Sequence, residues 1–257
     1  MNKISGIVIT YNEEKNIERC LQSMSKVCDE IIIVDSFSND KTKEICKKYT
    51  DKFFSHKFDG YRDQKNYATE LASNDFVLSL DADEILSEDL IKIILFFKNK
   101  GLSYDAYKFN RLNHIGQKPI KKGDWYPDSK IRLWNKEKGK WSGKNVHETV
   151  KMEKESSVMH IKKDILHFPY NNISEFNSQH VKFAEMWAND ASAEGKKSNL
   201  TMAIIKATFK FFKGYFLKLG FWEGFYGFSI AKSLSHYTLL KYLRLVEINR
   251  QKKMDSK

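Results

Sequence analysis

Three apolar segments, each closing on an acidic turn, constrain this chain more than any other feature. Ile4–Thr10 runs into Tyr11-Asn12-Glu13, Glu30–Val34 ends at Asp35, and Phe76–Leu80 stops at Asp81-Ala82-Asp83. Short continuous apolar runs of this kind read as strands covered on both faces. Helical spacing fills the intervals: Ile17, Cys20, Leu21 and Met24 recur on one face, Asp40 is placed to cap a helix over 41–48, and a helix is expected around 62–73. Phe53-Phe54 begins a short strand, and Ser87 caps a further helix whose apolar face is Leu90, Ile91, Ile94 and Leu95. Alternation of strand and helix predicts a doubly wound, mostly parallel α/β sheet. Residues 104–170 change character, with aromatics and alternating patterns that read as mixed sheet and loop completing a site. From Ile173 the pattern is helical to the end.

Open parallel sheets bind ligands beyond the carboxyl ends of their strands, where Thr10 to Glu13, Asp35 and the Asp81/Asp83 pair all lie. Asp35 reads equally well as a turn cap. Two carboxylates as close as Asp81 and Asp83 repel unless a cation or a hydrogen-bonded ligand sits between them. A hard divalent ion, Mg²⁺ or Mn²⁺, meets that need, because it takes few protein carboxylates and completes its shell with substrate phosphates. The chain has no GxxxxGK[ST] and no GxGxxG after the first strand, which disfavours ATP or NAD held by a glycine loop. Cys20, Cys28 and Cys46 form neither a disulfide framework nor a zinc motif. No charged segment followed by an apolar stretch opens the chain, so a cytoplasmic setting is expected.

These residues carry a resemblance. Ile7 to Glu14, Asp35 to Thr42, Gly60-Tyr61, Gln64-Lys65-Asn66 and Leu80 to Glu84 resemble glycosyltransferase family 2, whose fold is the Rossmann-like GT-A arrangement. Trp125 to Asp128, Arg132-Leu133-Trp134 and Val146-His147-Glu148 are similar to a narrower subfamily, β-1,4-glucosyltransferases of the lipopolysaccharide inner core. The match is dense over residues 1–170. The resemblance implies a UDP-sugar donor, with Thr10, Asn12 and Glu13 lining the nucleoside pocket and Asp35 hydrogen-bonding the uracil. It places Asp81 near the ribose or metal, and Asp83 on the metal. Lys65 stands where many members have Arg and would face the base or diphosphate, without Arg's bidentate fork. Phe37 replaces a usual Gly.

An inverting transfer needs a carboxylate to take the acceptor hydroxyl's proton. Two compete: Asp128, four residues before Arg132, and Glu148. His147 beside it would touch metal or diphosphate, or be structural. His160 and His167 read as structural. Trp125, Tyr126 and Trp141 suit either sugar stacking or core packing.

The charge is concentrated at one end. Residues 196–257 hold 13 Lys/Arg against 3 Asp/Glu, whereas the whole chain holds 44 against 33. Phe209, Phe212, Phe216, Trp222 and Phe225 are interleaved with Lys206, Lys210, Lys213 and Lys218, as in a helix lying at a bilayer interface. Packing of the aromatic face on the catalytic domain is the alternative. A second amphipathic helix is expected over Ile230–Arg250. The expected organisation is a GT-A catalytic domain over 1–170 and a basic, aromatic helical region over 171–257. The expected function is hexose transfer, glucose by resemblance, from a UDP-sugar to a lipid-linked lipopolysaccharide inner-core acceptor. The setting is the anionic cytoplasmic face of the inner membrane, as a peripheral protein. Transfer to polyprenyl phosphate or another cell-surface glycan is the enzymatic alternative, and an inactive nucleotide-sugar-binding scaffold the non-enzymatic one. Nucleic-acid binding makes no use of acidic strand ends and is not expected.

Overall fold

The computed structural model describes residues 2–143 and 148–255. They divide into two compact units: residues up to Leu112 together with Asp128–His167, and Asn113–Pro127 together with Phe168 onward. The strip 113–127 thus groups with the C-terminal helices.

In the first unit, β1 (Ile4–Thr10) is followed by α1 (Ile17–Met24), β2 (Glu30–Asp35), α2 (Thr42–Cys46), β3 (Phe53–Ser55), α3 (Tyr61–Glu70) and β4 (Phe76–Ser79). Next come β5 (Glu84–Leu86), α4 (Glu88–Lys100) and β6 (Ala106–Ile115). β1 pairs in parallel with β2 and β4, and β2 with β3. Asp40 accepts from the Thr42 amide at 2.9 Å, and α2 spans Thr42–Cys46, shorter than the expected 41–48. Ser87 caps α4 as expected, accepting from Leu90 N.

Beyond β4 the sheet changes direction. After β7 (Lys118–Pro119) come β8 (Asp128–Asn135), β9 (Gly139–Ser142), β10 (Thr149–Met152) and β11 (Val158–Tyr170). β8 runs antiparallel to β4 with Leu78 opposite Leu133, and β6 runs antiparallel to β8. The order is β3-β2-β1-β4-β8-β6-β11-β5, while β9 and β10 form a separate hairpin. β5 separates the Asp81-Ala82-Asp83 turn from α4, where the sequence pattern suggests a helix directly.

The alternation along β1 and β2 sends their side chains to two cores. Ile4, Val8, Ile31 and Ile33 pack on the apolar faces of α1 and α4. Ile7, Ile32, Val34 and Val77 pack with α3, Trp134 and Trp141. Gly6 sets the approach of α1: a Cβ there would lie 2.6 Å from Met24 Cε and 2.8 Å from Cys28 Sγ.

At the far end of β2, Glu30 gathers Lys52, Ser5 and the Ser73 amide. Burial pushes its carboxyl up, but these donors outweigh burial and hold it at about 2, against an ordinary 4.5. A depressed carboxyl stabilises the fold above its unfolded value and loses that contribution as pH falls through the folded one. Glu30→Gln is therefore expected to lower stability at neutral pH by roughly 1–2 kcal/mol. Its unfolding free energy should also fall less steeply than wild type as pH drops from 4.5 toward about 2; urea titrations across that range measure both.

The second unit contains β7 against the end of β6, and three helices: α5 (Ile173–Ala193), α6 (Leu200–Phe212) and α7 (Gly224–Asp255). Asn172 and Asn199 cap α5 and α6 through the amides of Glu175 and Met202. Trp125 and Tyr126 were open to two readings; Trp125 belongs to this unit's core, against Tyr170 and Phe176. α7 begins six residues before the expected Ile230, because Gly224 turns the chain with φ +57°. Among the described residues no helix is long and apolar enough to cross a membrane.

Candidate active site

Parallel pairing of β1, β2 and β4 brings Thr10, Asp35 and Asp81 to one edge of the sheet. Thr10 is buried and its Oγ1 has no partner among the described residues. Asn12 adopts φ +56°, which lets its amide donate to Ser38 Oγ while its Oδ1 accepts from Asn39 N. Asp35 is buried and accepts from both the amide and the hydroxyl of Ser38. Its turn-capping role is therefore real, and the loop it braces faces the first turn. Phe37 sits in that loop at φ +62° and is 63% exposed. That conformation favours glycine, which accounts for the residue usually found there.

Glu13 is half-buried, accepts from Asn16 Nδ2, and has its carboxyl raised by burial, with Asp83 and Asp40 adding to the effect. Asp83 itself lies 3.3 Å from His167 Nε2. His167, a structural histidine by sequence, reaches this position because β11 pairs antiparallel with β5, setting His167 opposite Glu84. No local pattern signals that pairing. His160, on the same strand, hydrogen-bonds Asn110.

The densest charge lies around Asp81. Its carboxylate takes Lys65 Nζ at 2.8 Å and Arg132 Nη2 at 2.6 Å. Burial pushes Asp81 up, but Arg132 and Lys65 outweigh it and hold the carboxyl well below the usual range. Lys65 also pairs with Glu148 at 2.9 Å and lies 4.5 Å above the Trp141 ring. Arg132 pairs with the fully buried Glu84 at 2.6 Å. Arg111 then links Glu84 to Asp128, donating to Asp128 Oδ2 from Nε at 2.9 Å and Nη2 at 2.6 Å. Lys130 lies 3.3 Å from the other Asp128 oxygen. Burial raises Asp128, and Arg111 followed by Lys130 overcomes that, leaving its carboxyl below the ordinary range.

The sequence-expected residues Lys65, Asp81, Asp128 and Glu148 thus form one network, joined by Arg111, Glu84 and Arg132. Arg111 carried no sequence signal, since it sits in the alternating strand β6. The network borders a cavity of about 530 Å³ lined by Lys65, Asp81, Arg111, Arg132, Trp141 and Glu148 among others. Three buried polar atoms on these residues have no partner among the described residues: Arg132 Nε, Trp141 Nε1 and Glu148 Oε2. Unsatisfied buried groups are costly, and two donors and an acceptor around one cavity suit a polar ligand. His147 lies outside the described residues.

Arg132 is the keystone of this charge balance. Arg132→Leu would leave Asp81 with one cation fewer and Glu84 without its closest partner, 2.6 Å away. Removing one member of a buried ion cluster costs about 3–5 kcal/mol. Chemical denaturation is expected to register that loss; an unchanged midpoint would show the network to be energetically neutral.

Among the described residues, no three His, Cys, Asp or Glu side chains converge as a metal-binding cluster. Asp83 still fits a hard divalent ion: its side chain is partly open, a histidine is in reach, and such ions need only one or two protein carboxylates.

The comparisons with known proteins bear on this arrangement. The model for "Glycosyl transferase family 2" matches residues 5–150, which include every strand-end carboxylate and Glu148. An uncharacterized glycosyltransferase of Rickettsia typhi is 31% identical over 258 residues, covering 95% of this chain and 87% of that protein. The lipopolysaccharide core biosynthesis glycosyltransferase LpsC of Rhizobium meliloti is 26% identical, covering 95% and 92%. Among solved structures, Staphylococcus aureus TarS 1-349 in complex with UDP aligns with TM-score 0.47 and 17% identity, over 97% of this chain and 91% of that one. The chain belongs to glycosyl transferase family 2 and is a glycosyltransferase.

Proposed function

We propose that this enzyme transfers a hexose, glucose by subfamily resemblance, from a UDP-sugar to a lipopolysaccharide inner-core acceptor, inverting the anomeric centre. The reaction then belongs at the cytoplasmic face of the inner membrane, where a lipid-anchored acceptor is exposed. The observation that carries the reading is the convergence of Asp81, Lys65, Arg132 and Glu148 on one cavity at the end of β4, with three buried polar atoms awaiting partners. The LpsC relative, named for lipopolysaccharide core biosynthesis, and the motifs around Asp128 and Glu148 support the choice of acceptor.

Each residue has a task that follows from its chemistry. Thr10, Asn12 and Glu13 line the nucleoside pocket, and Asp35 accepts from the uracil. Asp81 holds the ribose side of the donor, fixed by Arg132 and Lys65. Lys65 presents positive charge toward the nucleotide, and Glu148 keeps it in place. Asp83, with His167 beside it, would hold Mg²⁺ or Mn²⁺. The chemistry such an ion would supply is positive charge for the departing diphosphate. Asp128 is the base: it stands at the start of β8 and Arg111 keeps it ionised, ready to take the acceptor hydroxyl's proton.

A panel of nucleotide sugars, assayed for nucleotide release with and without Mn²⁺, tests this. Release of UDP from UDP-glucose in the presence of purified core oligosaccharide is expected. Transfer to polyprenyl phosphate instead would select the alternative acceptor. Release from no donor would overturn the reading.

A further inference from the structure

We infer that the segment joining α6 to α7 is a preformed wedge that enters the headgroup layer of an anionic bilayer through its aromatic side chains. The segment is a π-helical turn at Lys213–Leu217 followed by a 3₁₀ turn at Gly220–Glu223. Its inner side is tightly built. A Cβ on Gly227 would lie 1.8 Å from the Gly220 carbonyl oxygen, and one on Gly220 would lie 2.6 Å from that of Gly214. Asp124, nearly buried, is clasped by Lys210 at 2.8 Å and Lys218 at 3.0 Å. The outer side is the opposite. Phe209, Phe212, Leu217, Phe221, Trp222 and Phe225 are all exposed, Trp222 to 71% and Phe225 to 72%.

So many exposed large apolar side chains on a closely packed turn mark an interaction site. Two occupants fit an aromatic patch of this kind, a second copy and a lipid surface. The charge decides between them. Residues 196–257 carry 13 Lys/Arg against 3 Asp/Glu. In a two-fold dimer the same positive patches would face one another and repel. An anionic bilayer complements them, and aromatic side chains favour the depth of its headgroups.

Two of the four lysines interleaved with the aromatics are drawn to one carboxylate. Lys210 and Lys218 turn to Asp124 and do not form an outward basic stripe with Lys206, which lies 5.2 Å over the Tyr242 ring. Of the four, Lys206 and Lys213 make no ion pair among the described residues. Ring insertion and the positive charge of residues 196–257 therefore act together, and binding should weaken only in part in high salt, which screens surface charge.

This inference rests on the proposed function for the lipid-anchored acceptor, yet vesicle flotation needs neither donor nor acceptor, so the two fail separately. The full chain should float with vesicles of phosphatidylcholine and phosphatidylglycerol, keep most of that binding in high salt, and shift its tryptophan emission to the blue. Trp222→Ser/Phe225→Ser should weaken flotation at least about tenfold, while its circular dichroism and UDP release with soluble oligosaccharide stay at wild-type levels. A milder variant, Trp222→Ser alone, should weaken flotation by a smaller factor than the double variant, and it carries the test if the double variant misfolds. Wild type left unbound, variants that float like wild type, or a dimer that buries the aromatics and ignores vesicles would each overturn the inference.

Discussion

Asp83→Ala is expected to lower turnover by about a thousandfold or more, because it removes the carboxylate proposed to hold the divalent ion opposite the leaving diphosphate. The loss should match that of the wild-type enzyme after chelation. Added Mn²⁺ should restore the chelated wild type but not the variant. The fold should tolerate the change, since Asp83 is partly open and its ion-pair partner among the described residues is His167, 3.3 Å away. Nucleotide release, measured alongside thermal unfolding, separates the two effects. Full activity in a well-folded Asp83→Ala enzyme would sink the metal-assisted mechanism.

The second large effect divides the two candidate bases. Asp128→Asn should reduce kcat by roughly 10²–10⁴-fold, the usual contribution of a positioned base. Donor affinity should change little. Glu148→Gln should act mainly on donor KM, because Glu148 steadies Lys65 beside Asp81 at 2.9 Å. The pH profile offers a further check. Arg111 and Lys130 hold the Asp128 carboxyl below its ordinary range, so the base form is present at neutral pH. The acid limb of the rate should accordingly fall only as pH drops through that lowered value. If Glu148→Gln abolished kcat and Asp128→Asn spared it, the roles would be reversed.

Much of the first unit was legible without coordinates. Ile4–Thr10, Glu30–Asp35 and the strand before Asp81 emerged as strands because both faces of a parallel sheet are buried and leave uninterrupted apolar runs. The helices around them showed in the spacing of Ile17, Cys20, Leu21 and Met24 and of Leu90, Ile91 and Ile94, which all face the core. The cap at Ser87 was equally readable, since capping chemistry is local. The second half resisted. Trp125 carried a strong aromatic signal but no indication of its fate, and it packs against Tyr170 and Phe176. The four lysines of the tail looked equivalent in sequence, and only the buried Asp124 distinguishes Lys210 and Lys218 from the others.

What the sequence determined by itself is the parallel sheet and the acids at its carboxyl edge, because apolar periodicity and strand-end chemistry are properties of short segments. Tertiary structure alone decided who partners those acids. Arg111 and Arg132 reach Glu84 and Asp81, and His167 reaches Asp83, through antiparallel pairing between strands some 30 to 80 residues apart. Electrostatic energy at such contacts depends on distance and burial, neither of which is written in the order of the residues.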